Sequence, residues 1–116
     1  MTLTIYHNPR CSKSRQTLAI IEAAGQSPEI VRYLENPLST EEIKTLLSKL
    51  GLTDPRDIMR KGEAIYKELG LKCETDAQAL IEAIASHPKL LERPIVVKGS
   101  EAIMGRPPEN VNKLLP

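Results

Sequence analysis

The sequence predicts an α/β fold, a mixed sheet of about four strands with a helical insertion at its centre. Three observations carry this. The apolar pattern runs in the order β-α-β, then a series of helices, then β-β-α. Lys98-Gly99-Ser100 joins two apolar runs by a connection so short that it implies an antiparallel hairpin. The 116 residues are 41% hydrophobic, enough for one domain with its own core, so residues 1–116 read as a single domain. Leu, Ile, Val and Ala must fill that core, because the chain has no Phe, no Trp and only three Tyr.

Each element has a local reason. Leu3-Thr4-Ile5-Tyr6 alternates as a first strand, and His7-Asn8-Pro9-Arg10 interrupts it at a proline. From Ser12 to Ala24 the spacing of Thr17, Leu18, Ile21 and Ala24 is helical, with Gly25 placed to end it. Glu29 to Tyr33 reads as a second strand, stopped by Asn36-Pro37. Ser39 and Glu42 have the spacing of a capping box, Ile43, Leu46, Leu47 and Leu50 form one helical face, and Gly51 closes it. Asp54-Pro55 reads as an N-cap with proline at the first helical position, opening a short helix to Met59. Glu63 to Leu69 is another short helix, closed by Gly70. Thr75 and Gln78 repeat the capping-box spacing before a helix carrying Leu80, Ile81 and Ile84, with Pro88 beyond its end. Ile95-Val96-Val97 and Ala102-Ile103-Met104 are the two strands of the hairpin. Pro107 and Pro108 permit only the first turn of a last helix through Val111 and Leu114.

Charge and cysteine usage narrow the function classes. Sixteen basic and fifteen acidic side chains leave a net charge of +1, which argues against nucleic acid or an anionic membrane surface as partner. No run approaches the roughly 20 apolar residues of a membrane span, and Met1 to Tyr6 has no signal-peptide core, so a cytoplasmic location is expected. The balanced surface and the absence of a heptad point to a monomer. Two cysteines, Cys11 and Cys73, exclude a disulfide-stapled scaffold; in a reducing compartment both are expected as thiols.

The segment Tyr6 to Arg15, YHNPRCSKSR, holds the strongest chemical signal. Cys11 stands between a strand end and a helix start, where unpaired N–H groups and the helix dipole favour a thiolate. Arg10, Lys13 and Arg15 add positive charge, against the usual preference for acids in a first helical turn. A buried structural cysteine is the competing reading. Ser14 makes the pattern C-x-x-S, so there is no second thiol at the redox-motif position. Its hydroxyl either bonds the thiolate or faces solvent. His7 is either a base near the thiol or a loop residue. Two histidines and two cysteines scattered in this way make no metal site, and Cys73 reads as structural or incidental.

Arg60, Arg93 and Arg106 each sit at an element boundary, the last two directly before a proline. Guanidinium forks bind oxyanions, and three converging on a thiolate would hold a tetrahedral one, but spacing alone also allows three solvated arginines. Spacing alone likewise favours a trans bond before Pro94, since only about 5–6% of X–Pro bonds are cis.

The ordered set changes this reading. YHNPRCSKSR, YLENP at 33–37, RKGE at 60–63, HP at 87–88, RPIVV at 93–97 and GRPPE at 105–109 together resemble the glutaredoxin-dependent arsenate reductases across essentially the whole chain. The resemblance implies a thioredoxin-like fold with a helical insertion. It implies that Cys11 is the nucleophile and that Arg60, Arg93 and Arg106 hold the oxyanion. It further implies that His7 and Ser14 help lower the thiol pKa, that Pro94 is a cis proline shaping the substrate slot, and that Cys73 has no assigned role. The implied reaction needs no bound cofactor. The Cys11 thiolate attacks arsenate and water leaves; glutathione, as co-substrate, attacks the adduct and reduces As(V) to As(III); glutaredoxin removes the glutathione and regenerates Cys11. Ser12 and Lys13 depart from the C-G-T-S pattern of the best-characterised reductases, which leaves substrate preference open.

Two other readings accompany this one. A glutathione-dependent thiol reductase would act on a different substrate through the same cysteine. A redox regulator resembling the Spx proteins would bind RNA polymerase, but those proteins usually carry C-x-x-C where this chain has Ser14.

Overall fold

The computed structural model describes residues 3–115. Its residues gather into two compact units, one made of the chain up to Asn36 and from Arg93 onward, the other of Pro37–Glu92.

The first unit holds the sheet. Strand β1 (Leu3–Tyr6) is central, parallel to β2 (Glu29–Val31) and antiparallel to β3 (Ile95–Lys98), which pairs antiparallel with β4 (Glu101–Met104). The order is β2-β1-β3-β4, a mixed sheet of four strands as expected. The register places Ile5 between Ile30 and Val96. Alternation buries Leu3 and Ile5 and leaves Thr4 and Tyr6 part-exposed. Helix α1 (Ser12–Ala23) packs with the terminal helical stretch Pro108–Leu114. The core joins Leu3, Ile5, Ile21, Val96, Val111 and Leu114. Ile5, Ile21, Val96 and Val111 are wholly buried, worth roughly 1.5–3 kcal/mol each relative to exposure.

The second unit is the helical insertion. Helix α2 (Thr40–Leu50) starts in the expected capping box, Ser39 accepting from the Glu42 N–H while Glu42 accepts from the Ser39 N–H. It ends at Gly51, whose φ of 73° needs a residue without a Cβ. Short 3₁₀ stretches at Pro55–Ile58, Leu71–Cys73 and Pro88–Leu90 alternate with α3 (Ala64–Glu68) and α4 (Ala77–Ser86), and α2 packs on α4. Paired strand-like residues Met59 and Leu91 close the unit, flanked by Arg60 N–H to Leu90 O and Glu92 N–H to Ile58 O, both at 2.7 Å.

Three expectations are corrected. The cap of α4 is Asp76, which accepts from the Gln78 N–H, and not Thr75. Strand β2 stops at Val31, because the Glu35 and Asn36 N–H groups both turn back to Arg32 O. The last helix is 3₁₀ throughout, with Pro107 as its N-cap.

Candidate active site

The loop after β1 is held from both sides. The His7 N–H donates to Val31 O at 2.8 Å, anchoring the loop to β2. The Cys11 N–H donates to Asn8 O at 3.0 Å, and Asn8 Oδ1 accepts from the Arg10 N–H, so Asn8 folds Pro9 and Arg10 into a tight turn. Arg15 Nη1 reaches back from α1 to Pro9 O at 2.9 Å.

This turn delivers Cys11 to the N-cap of α1, in extended conformation and with no side-chain cap bond. The thiol is free and partly buried. Burial alone pushes its pKa up. The Ser14 N–H, the Arg93 charge, the Lys13 N–H and a hydrogen bond from Arg93 act the other way and leave the thiol below its ordinary value. Helix N-terminal amides and a guanidinium thus stabilise the thiolate.

His7 and Ser14 serve this arrangement from behind. Both are buried, with His7 Nδ1 at 2.6 Å from Ser14 Oγ. Ser14 Oγ also accepts from the Asn8 N–H at 3.1 Å. The hydroxyl therefore neither bonds the thiolate nor faces solvent; the Ser14 N–H is what lowers the thiol pKa, while its side chain fixes the loop. Burial lowers the His7 pKa, and the charges of Arg32 and Arg15 lower it further. With the imidazole neutral and its proton on Nε2, Nδ1 accepts a hydrogen bond from the Ser14 hydroxyl.

Arg93 and Arg106 come together. Arg106 Nε donates to Arg93 O at 2.7 Å. The bonds before Pro94 and Pro107 are both cis. The Gly105 N–H donates to Pro94 O at 2.8 Å, joining the end of β4 to the start of β3. Gly105 also has no room for a side chain: a Cβ there would lie 2.6 Å from Thr17 Oγ1 and 2.7 Å from Pro94 Cγ. Thr17 is buried on α1, its hydroxyl donating to Lys13 O at 2.8 Å. Gly105 thereby packs the Cys11 helix against the proline segment.

Arg60 belongs to the other unit. There it pairs with Glu63 at 2.9 Å and stands 4.0 Å from Glu92. Cys73 is exposed and free. Among the described residues no group of three or more His, Cys, Asp or Glu side chains could hold a metal, and no helix is long and apolar enough to cross a membrane.

The family model described as the ArsC family matches residues 6–114. The chain belongs to the ArsC family. An arsenate reductase of Neisseria meningitidis serogroup A is 48% identical over 114 residues, covering 97% of each chain. An arsenate reductase of Haemophilus influenzae is 47% identical, covering 99% of this chain and all of its own. The structure of the arsenate reductase from Vibrio cholerae superposes with a TM-score of 0.96 at 51% identity, over 99% of this chain and 98% of that one. The fold is thioredoxin-like, with the helical unit inserted between β2 and β3.

Within this ArsC fold, the arrangement around Cys11 can present a thiolate to an electrophile beside a planar cationic fork. Sequence reasoning missed Gly105, Thr17 and Asn8. The segment GRPPE contains Gly105, yet nothing in spacing alone tells a glycine needed for close approach from one that ends a strand.

Proposed function

We propose that the protein is an arsenate reductase using glutathione and glutaredoxin. The observation that carries the reading is Cys11 at the N-cap of α1 with the Arg93 charge close enough to hold its thiol pKa below the ordinary value. A nucleophile and an oxyanion-binding group share one spot there. The names of relatives that match nearly end to end support the substrate.

In this reading the Cys11 thiolate displaces one arsenate oxygen, which leaves as water, and a sulfur–arsenic bond forms. Arg93 and Arg106 offset the charge on the remaining oxygens. The resemblance assigns Arg60 to the same task. Glutathione thiolate then attacks the Cys11 sulfur. A disulfide forms, the sulfur–arsenic bond breaks, and its electron pair stays on arsenic, which leaves as As(III). Glutaredoxin takes the glutathionyl group by thiol exchange and restores Cys11. With Ser14 at the C-x-x-S position, no local thiol competes for that step. Such chemistry belongs in a reducing cytoplasm, and the chain is proposed to act there as a monomer.

Purified protein with arsenate, glutathione, glutaredoxin, glutathione reductase and NADPH tests the reading. NADPH consumption that depends on arsenate is expected, abolished by Cys11→Ser and retained by Cys73→Ser. Arg93→Ala is expected to lower kcat/KM by about a hundredfold, as for loss of one oxyanion donor. Arg60→Ala reports the share of Arg60. No arsenate-dependent turnover in the unmodified protein would refute the assignment.

A further inference from the structure

A cavity of about 250 Å³ opens between residues His7 to Arg10, which lead into Cys11, and the turn after β2. It is somewhat smaller than the usual small-molecule pocket, a size for part of a short peptide rather than a protein surface. Its charged lining is two guanidinium groups, Arg10 and Arg32, and one carboxylate, Glu35. Leu34 supplies an apolar wall that is 41% exposed. Among the described residues neither guanidinium donates a hydrogen bond or forms an ion pair. Yet Arg32 is close enough to act on the charge of His7 in the cavity floor. The site is held by backbone bonds: Glu35 N–H to Arg32 O at 3.0 Å on one wall, Cys11 N–H to Asn8 O at 3.0 Å on the other.

Two cations, one anion and an apolar wall beside a reactive thiol describe a ligand by complement. It carries two carboxylates, one ammonium and a thiol between them, and is short enough to reach Cys11 from the cavity. Glutathione has these groups, and a chain of three residues extends only about 10 Å. We propose that this cavity is the glutathione subsite, Arg10 and Arg32 taking its carboxylates, Glu35 its ammonium and Leu34 packing on its middle. This rests on the glutathione-dependent reading given above. Cys11 directly follows the lining residue Arg10, with Cα atoms about 3.8 Å apart, so its thiol lies within the span of a tripeptide seated in the cavity.

The test leaves arsenate out. Reduced protein is mixed with glutathione disulfide; the Cys11 thiolate attacks one sulfur, forms the mixed disulfide and releases one glutathione thiolate, whose rate of release is measured. The same rate is taken with bis(2-hydroxyethyl) disulfide, which is neutral. Arg10→Ala and Arg32→Ala are each expected to slow the glutathione reaction about fivefold, the size of a part-exposed charge pair. The neutral reaction should hold its rate. Equal slowing of both reactions would mean that the arginines act only on the thiol, and no slowing would mean that the ligand sits elsewhere; either overturns the proposal. If arsenate turnover fails while the charge-selective slowing appears, the subsite stands and the substrate assignment falls. Normal arsenate turnover with no charge selectivity gives the converse.

Discussion

Arg106 Nε donates to the carbonyl oxygen of Arg93 at 2.7 Å. The bond binds the residue before Pro107 to the residue before Pro94, and so couples the segment that leaves β4 to the one that enters β3. The Arg93 charge in turn helps hold the Cys11 pKa below its ordinary value. Charge at the sulfur therefore depends on backbone geometry set more than eighty residues downstream in sequence.

The first expectation concerns that charge. Alkylation of Cys11 by iodoacetamide should titrate below the free-thiol value of about 8.5. Arg93→Ala should move the inflection upward, since it removes both an attractive charge and a hydrogen bond. An unchanged inflection would place the lowering entirely in the Ser14 and Lys13 amides.

Ser14→Ala separates hydroxyl from backbone. The variant keeps the N–H that faces the thiol, so the alkylation inflection should stay in place. It removes the partner of His7 Nδ1 and of the Asn8 N–H, so denaturant unfolding should show a loss of about 1–3 kcal/mol. A rise of about one unit in the inflection would instead put the hydroxyl on the thiolate.

His7 gives a pH dependence with a definite sign. Its folded pKa is lowered, so the unfolded chain binds the proton more readily. The stabilisation is complete above the unfolded value of about 6.5 and is lost as pH falls from there to the folded pKa. Unfolding free energy should decline over that window by at most about 1.4 kcal/mol per pH unit, one proton's worth. His7→Gln should flatten the decline, and an equally steep curve in the variant would assign the proton elsewhere.

Gly105→Ala tests the close approach. The added Cβ would press on Thr17 Oγ1 and on the Pro94 ring, and neither yields easily. Thr17 is bonded to Lys13 O, and the ring is rigid. The overpacking should cost about 1–3 kcal/mol in chemical unfolding. Arsenate kcat/KM should fall with it, because the substitution separates the Cys11 helix from the segment that carries Arg93. Unchanged stability would show that the helix can shift without penalty.

How far the sequence could be read depended on whether the deciding contact was local. The Ser39–Glu42 capping box and the Lys98–Ser100 hairpin are complete within a few residues, and both formed as expected. Thr75 and Gln78 share the spacing of that capping box, but Asp76 stood closer to the helix start and took the cap, a competition that spacing cannot rank. Strand β2 lost its last residues to a turn whose bonds all end on Arg32 O. At the site, the placement of Cys11 was legible because a proline-broken strand and a helix start are local signals. The influence of the Arg93 charge on Cys11 and the fit of Gly105 against Thr17 are made across the fold, and no local pattern contains them. The bond before Pro94 is cis, as the resemblance implied and against the preference from spacing.

Cys11 is itself the N-cap of α1, with no side chain tying down the amides of that turn, and α1 has no acidic residue in its first turn. The thiolate is thus the one negative charge that the helix start receives from its own residues, and it is discharged whenever the sulfur is alkylated, arsenylated or joined to glutathione. In the proposed cycle the start of α1 would consequently alternate between a charge-stabilised and a fraying state. Amide hydrogen exchange at Lys13 and Ser14 should be slow in the thiolate form and faster in the mixed disulfide, so the oxidation state of one sulfur can be read from the backbone beside it.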